Sequence, residues 1–584
     1  MIQQIVCFAL VLSLGISSFA DRYEAESAIV DENSVQKIAD ADASGGYYVN
    51  MKEGTLSFKA NIATAGFYTL WVHYTQTGDP VHKIQNLSLN GAMIGQIDFP
   101  YTASFVHLKA SAKIKLSAGA NTLAITKSWG WVNVDYVELT PYEDVSPFSI
   151  SSSLVSPNAS INAKKIYNFL RENFQKKVIS GVMTSDVMQT DGKNTPDTLE
   201  NQTEVAWVMK ASGKIPALTG LDFLHAVGQK TEGEWYLGYT KATISLAETV
   251  FKKGGIPAYS FHWRDPSHVT EAFYTTYTTF NLKKMYADSL TCTSYNTSSD
   301  EYQAIIRDLD IIAGYLKILA EKEVPILWRP LHEASGKWFW WGEQGPEACK
   351  GLYRLMFDRF INHHHLNNLI WVWTTDEAGD ALDWYPGDEY VDIIGRDFYY
   401  YPREANHGSL AASFEKVKEL FKGKKIVALS ENGSIPYPDN LVGDGAGWSY
   451  FMPWNLDYTM DGWAHDNTAA DWKLILNHDY VITLDEMPGW SNYTVQAKKP
   501  EKNATSSVSI KYNSGILDVS LIDENTASIE IYNLQGIRIS TLSKGLLREG
   551  IYHFPLNTIA KGMYFVNVKN GISSKNVVEP IMIK

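Results

Sequence analysis

The chain of 584 residues exceeds one ordinary domain and accommodates about three or four at roughly 100 to 200 residues each. Its 51 Lys and Arg face 65 Asp and Glu, and the net charge of −14 argues against a nucleic-acid partner, which needs clustered positive charge. Eighteen Trp and 33 Tyr instead supply the broad apolar rings with a polar edge that suit either a carbohydrate site or a large core.

In chain order, a twelve-residue apolar stretch from Ile5 to Ile16, followed by Ser18-Phe19-Ala20, reads as a signal peptide over residues 1–20, although no Lys or Arg precedes it. No other stretch approaches the roughly 20 apolar residues of a membrane span. An exported, soluble monomer is expected. Over residues 21–142, Leu56, Phe58, Ala60 and Ile62 alternate with Ser57, Lys59 and Asn61, the period of a half-buried strand, and a β-sandwich follows. Ser146 to Ser160 spends seven Ser and two Pro in fifteen residues, which predicts a solvated linker over 143–160.

From 161 to 494, short apolar runs alternate with helical patterns. Eight candidate strands are Val178–Thr184, Ile215–Phe223, Ile256–Trp263, Val324–Glu333, Leu369–Asp376, Val391–Tyr399, Ile426–Gly433 and Trp448–Trp454, the number a (β/α)₈ TIM barrel needs. Ile305, Leu309, Ile312, Leu316 and Leu319 form one face of a covering helix. A polar linker at 495–507 precedes a small all-β domain at 508–584, where Ile529 to Ile539 predicts a hairpin. The expected architecture is a multidomain chain with a central TIM barrel between a β-sandwich and a C-terminal all-β domain.

Barrel chemistry gathers at strand C-termini. Glu333, in WRPLHEASGKWFWWG, and Glu431, in ALSENG, both stand there, the first followed closely by four aromatic residues. Two strand-end carboxyl groups meet the needs of glycoside cleavage, which uses one to protonate the leaving oxygen and one to attack or to activate water. Surface ion pairing is the competing reading. Arg329 shares strand parity with Glu333 and either supports a carboxylate there or pairs with another barrel acid. His332 either contacts a sugar hydroxyl or packs between strands. Cys292 and Cys349 either pair or stay free, and without metal-ligand spacing they give no zinc signature. The run His363 to His365 cannot turn all its rings to one ion from a single helical face.

These segments, with PALTGLDFLH, SFHWRDP and GRDFYY, resemble glycoside hydrolase family 26, mainly endo-β-1,4-mannanases on a clan A barrel, over about 330 residues. The resemblance implies Glu333 as general acid/base and Glu431 as nucleophile in a retaining double displacement without a catalytic cofactor. It implies His332 and Trp338 beside the scissile bond, His262 and Trp263 at sugars on the non-reducing side, and Tyr399 bonded to the nucleophile, with Tyr400 and Tyr401 as neighbouring registers. Trp448 is either a stacking platform or a core residue.

YEAESA, SGGYYVNM and WVNVDYVELT resemble carbohydrate-binding module family 35. That likeness implies a structural calcium held by Glu24, Glu26 and Asp135, which otherwise read as surface charges, and sugar contacts at Tyr48, Trp131 and Asn133, with Trp131 otherwise a packed sandwich residue. IYNLQG, KGMYFVNVKNG and the final IMIK are similar to type IX secretion sorting domains. The expected protein is a secreted or cell-surface mannanase whose partner is β-mannan. β-1,3-Xylan or mixed-linkage glucan as substrate, or a silent glycan-binding surface protein, are the alternatives.

Overall fold

The computed structural model describes residues 21–494 apart from 79–81, 186 and 188–198, and residues 508–583 apart from 514, 522–525, 534–536, 548–549 and 571–575. The expected signal peptide and second linker lie outside the described residues. The chain divides into two compact units, Met1–Val495 and Gln496–Lys584.

The first unit begins with the expected β-sandwich. A six-stranded sheet runs Gln36–Ala39, Tyr47–Asn50, Asn133–Pro141, Gly66–Thr75 and Val106–Leu116, with Asp21–Glu24 also paired to Asn133–Pro141. It faces a four-stranded sheet of Thr55–Ile62, Gly119–Trp129, Lys83–Leu89 and Ala92–Phe99. Along Thr55–Ile62 the apolar side chains Leu56, Phe58, Ala60 and Ile62 turn into the sandwich core, while Lys59 and Asn61 stay in water, as the two-residue period dictates.

The 143–160 segment departs from expectation. Ser149 and Ser151 to Ser153 stay exposed as composition suggests, yet the segment is not a free spacer: Phe148 sits edge-on to Phe174 at 4.7 Å, Leu154 and Ala159 join the barrel core, and Val155 donates its N–H to the Asp392 carboxylate at 2.7 Å. The apolar residues scattered among the serines outweigh composition, since each buried one gains roughly 1.5 kcal/mol or more. The sandwich is therefore fixed on the barrel. Lys109 pairs with Glu419 at 3.0 Å, Lys113 with Glu415 at 3.2 Å, and Tyr142 donates to Glu415 at 2.9 Å.

The barrel sheet runs in parallel order Gly181–Met183, Leu218–Asp222, Ile256–Phe261, Ile326–Pro330, Leu369–Thr375, Ile393–Phe398 and Ile426–Asn432. These strands are buried almost throughout, which is why they read as continuous apolar runs. The eighth position is occupied by backbone around Ser449–Pro453, which bonds to Val427 and Leu429 on one side and to Ile179 and Met183 on the other, closing the ring. The covering helix Asp300–Glu321 is capped by the Ser299 hydroxyl, which accepts from Tyr302 N at 3.1 Å, and it buries Ile305, Leu309, Ile312, Leu316 and Leu319. Cys292 and Cys349 are both free and buried. No helix among the described residues is long and apolar enough to cross a membrane.

The second unit is all-β. Strands Val508–Asn513, Ile516–Leu521 and Gly550–Pro555 form one sheet, and Arg538–Leu547, Thr526–Tyr532, Gly562–Asn570 and Asn576–Ile583 form another. The hairpin expected around Ile529 is present as antiparallel pairing of Thr526–Tyr532 with Arg538–Leu547. Leu517, Val519, Ile529, Ile531, Val566 and Ile581 contribute to its own core.

Candidate active site

Strand Ile326–Pro330 ends three residues before Glu333, shorter than the sequence implied. Leu331 and Glu333 then adopt left-handed backbone, φ 52° and 53°, a conformation that costs a non-glycine residue of order 1–3 kcal/mol and tends to mark functional sites. Strand parity therefore stops at Pro330. Trp338 folds back and donates its indole N–H to Glu333 Oε2 at 3.0 Å. Gly336 permits this approach, because a Cβ there would lie 2.0 Å from the Trp338 ring.

Arg329 occupies the floor of the site, buried, with Nη1 donating to Asp397 Oδ2 and Nη2 to Glu431 Oε2, both at 2.6 Å, and Nη2 also to Ser260 Oγ at 2.8 Å. Both alternatives considered for Arg329 hold at once: it braces a candidate nucleophile and pairs with a second barrel acid. Glu431 Oε1 accepts a further bond from the Tyr399 hydroxyl at 2.7 Å. Two donors thus orient Glu431 and complement its negative charge. Tyr399 is the register that reaches the carboxylate. Tyr400 is buried and Tyr401 exposed.

One carboxylate oxygen from each of Glu333, Asp397 and Glu431 lies within 4.8 Å of the others. Burial, reinforced by the negative neighbours Glu431 and Asp397, raises the Glu333 pKa well above the usual carboxylate range, against the opposing pull of Arg329 and the Trp338 N–H. A group so placed keeps its proton near neutrality. Burial likewise raises Asp397, although Arg329 and the Ser430 hydroxyl favour its charged form.

His262 and His332 pack edge-on with ring centroids 4.5 Å apart. His262 Nδ1 pairs with Asp222 Oδ2 at 2.5 Å. Burial and the neighbouring Arg329 and His262 hold His332 well below its usual pKa, so its ring is neutral, and its buried Nδ1 has no protein partner.

One expected sugar contact is corrected, and one open alternative is decided. Trp263 is fully buried, donates to Asp308 Oδ2 at 2.8 Å and stacks on Phe261, so it is a core residue. Trp448 is also fully buried, donating to the Ser409 carbonyl at 3.0 Å and packing on Phe414. Trp454, partly exposed and 5.6 Å from the His262 ring, occupies the barrel mouth instead. Sequence reasoning assigned no role to Asp222, Asp397 or Trp454. Asp222 and Asp397 stand at or next to the C-terminal ends of their strands and Trp454 just past the backbone that fills the eighth position, and the strand-end rule that singled out both glutamates points to them as well. Tyr458, centroid 5.0 Å from Tyr399 and lying under the Arg403 guanidinium at 3.6 Å, sits on a loop that carried no such signal.

In the sandwich, Glu24, Glu26 and Asp135 gather around the Ser44–Gly46 turn. Ser44 donates its hydroxyl to Glu24 Oε1 at 2.9 Å and its N–H to Asp135 Oδ2 at 3.0 Å, and the Gly45 Cβ position lies 3.0 Å from Glu26 Oε1. Each acid keeps one buried carboxylate oxygen without a partner. Unpaired buried oxygens are costly, and an oxygen-liganded cation satisfies them. Trp131 is exposed, with its indole N–H on Glu53 at 3.0 Å, rather than packed in the sandwich. Asn133 accepts from Asn50 at 2.8 Å, and Tyr48 lies edge-on to Phe105. In the barrel unit, His364 pairs with Asp310 at 2.7 Å, and Asp310 is already held by Arg359.

Comparison with known proteins agrees with this geometry. The family model "Carbohydrate binding module (family 35)" matches residues 21–142 and "Secretion system C-terminal sorting domain" matches 504–584. A mannan endo-1,4-beta-mannosidase of Thermothelomyces thermophilus is 32% identical over 489 residues, covering 82% of this chain and 92% of that protein. The structure of a Podospora anserina GH26-CBM35 beta-(1,4)-mannanase superposes with a TM-score of 0.53 at 34% identity, covering 81% of this chain and 99% of that one. A beta-mannanase from a symbiotic protist of the termite Reticulitermes speratus, complexed with gluco-manno-oligosaccharide, gives 0.52 at 42% identity over 59% of this chain and 99% of its own. The model "Glycosyl hydrolase family 26" matches residues 155–486, and the chain belongs to that family.

Proposed function

We propose that the chain is a secreted endo-β-1,4-mannanase that cleaves mannan, galactomannan or glucomannan with retention of anomeric configuration, Glu431 acting as nucleophile and Glu333 as acid/base. The observation that carries the assignment is the pair itself, Glu431 buried and Glu333 half-buried, with one carboxylate oxygen of each within 4.8 Å, one group braced by Arg329 and Tyr399 and the other pushed toward its protonated form. Retaining enzymes place their carboxyl groups about 5–5.5 Å apart, whereas inverting ones leave about 6.5–9.5 Å for a water. In the first step Glu431 attacks the anomeric carbon while Glu333 gives its proton to the departing glycosidic oxygen. In the second, Glu333 takes a proton from water, the water oxygen bonds to the anomeric carbon, and the ester to Glu431 breaks. His332 and His262 bind sugar hydroxyls alongside, and Trp338 holds Glu333 in register.

The sorting domain directs the chain out of the cell, consistent with a polymeric substrate that cannot enter it. Residues 1–20 serve as the export signal in this reading. The sandwich tethers the enzyme to insoluble substrate through Trp131, Asn133 and Tyr48, raising the effective concentration of chain ends and loops at the barrel. The substrate is tested by chromatography of products from unbranched β-1,4-mannan, β-1,3-xylan and mixed-linkage glucan. Manno-oligosaccharides from mannan alone are expected. Products from only the other two would overturn the substrate, and no product from any would overturn the activity.

The unpaired buried oxygens of Glu24, Glu26 and Asp135 would hold a calcium ion in this reading, its charge offsetting the cost of burying them. Calcium at a hundredfold excess over its Kd adds about 2.7 kcal/mol of stability, read as a rise in melting temperature that chelation reverses. An unchanged melting curve with and without calcium would contradict the site.

A further inference from the structure

A cleft of about 460 Å³ opens between the sandwich and the barrel. This volume falls in the range of small-molecule sites, roughly 300–1,000 Å³. Its barrel wall includes Trp338, whose N–H rests on Glu333, together with Arg396 and Glu377, paired at 2.9 Å. Its sandwich wall includes Trp129 and the pair His82 and Asp98, 2.9 Å apart. None of His262, His332, Tyr399 or Trp454 lines it. Neither Glu333 nor Glu431 lines it either; the cleft lies beside Trp338, the hydrogen-bond partner of the candidate acid, and reaches from there to the other module.

The two walls are held at a fixed spacing. Gln96 and Ser128 of the sandwich both donate to the Tyr401 carbonyl, at 3.1 and 3.0 Å, close to the cleft, and the lysine pairs to Glu415 and Glu419 anchor the adjoining sheet. Trp129 and Trp338 are 43% and 46% exposed, so each leaves indole surface open to a ligand. Charged pairs beside half-exposed indoles match a sugar ring, which presents apolar C–H faces and a rim of hydroxyls.

We propose that the β-sandwich forms part of the substrate cleft: mannosyl residues beyond the leaving-group oxygen pass between Trp338 and Trp129, with hydroxyls bonded by Asp98, His82 and Arg396. The inference rests on Glu333 as the acid, since that role makes its side of the site the leaving-group side. The sandwich then does more than tether the enzyme. It selects for chains long enough to reach it.

The test compares kcat/KM for mannohexaose with that for an aryl β-mannobioside, whose leaving group is too short to reach Trp129, in the full chain and in its Trp129→Ala and Trp129→Tyr variants. The hexaose-to-aryl ratio is expected to fall roughly threefold to tenfold in Trp129→Ala, the scale of one aromatic stacking contact, and to recover in Trp129→Tyr. A ratio within twofold of wild type in Trp129→Ala, or an equal loss on both substrates, overturns the composite cleft and leaves the mannanase reading intact. A wild-type chain silent on both substrates overturns the mannanase reading itself.

Discussion

Replacing Glu431 with Ala is expected to lower kcat on mannan by roughly 10⁴-fold or more, the scale seen when a covalent nucleophile is removed. Adsorption to insoluble mannan is expected to persist, because the contacts proposed for the sandwich at Trp131, Asn133 and Tyr48 are untouched. The fold is expected to survive, since Arg329 retains Asp397 and Ser260 as partners after Glu431 is lost. Kinetics, a pull-down on mannan and a thermal melt check the three parts. Wild-type turnover in the variant would remove Glu431 from the mechanism.

Changing Glu333 to Gln is expected to cost about 10²–10⁴ in kcat on mannan, whose sugar leaving group needs a proton. The pH profile gives the sharper readout. Glu333 must be protonated to act as acid, so wild-type kcat/KM falls as pH rises through its pKa, and burial with Glu431 and Asp397 nearby moves that limb above the usual carboxylate range. Glu333→Gln cannot lose that proton, and the alkaline limb is expected to vanish from its residual activity. A variant that keeps the limb would assign the acid to another group.

Much of this was legible in the chain. Apolar runs ending in Glu333 and Glu431 located the site because strands of a closed parallel sheet are buried on both faces and present polar groups only at their ends. The same rule, applied to Asp222, Asp397 and Trp454 near the ends of their segments, would have completed the floor and mouth. Trp263 misled, and Trp448 stayed open, because a tryptophan near a strand terminus satisfies either a core or a sugar site. The parity argument placed Arg329 beside Glu333, whereas its bonds go to Glu431, Asp397 and Ser260, because the strand stops at Pro330 and left-handed backbone at Leu331 and Glu333 turns the chain afterwards. The 143–160 segment shows the converse error: serine content suggested solvation, while Phe148, Leu154 and Val155 dock it on the barrel. The cleft beside Trp129 was out of reach, since it depends on how two separately patterned modules meet.

A covalent intermediate on Glu431 is tested most directly by proton NMR of the anomeric signals during the first minutes of mannan hydrolysis. Retention predicts that new reducing ends appear first as the β-anomer, with α growing in later by mutarotation. Reducing ends that appear first as α would contradict the double displacement and the roles given to both glutamates.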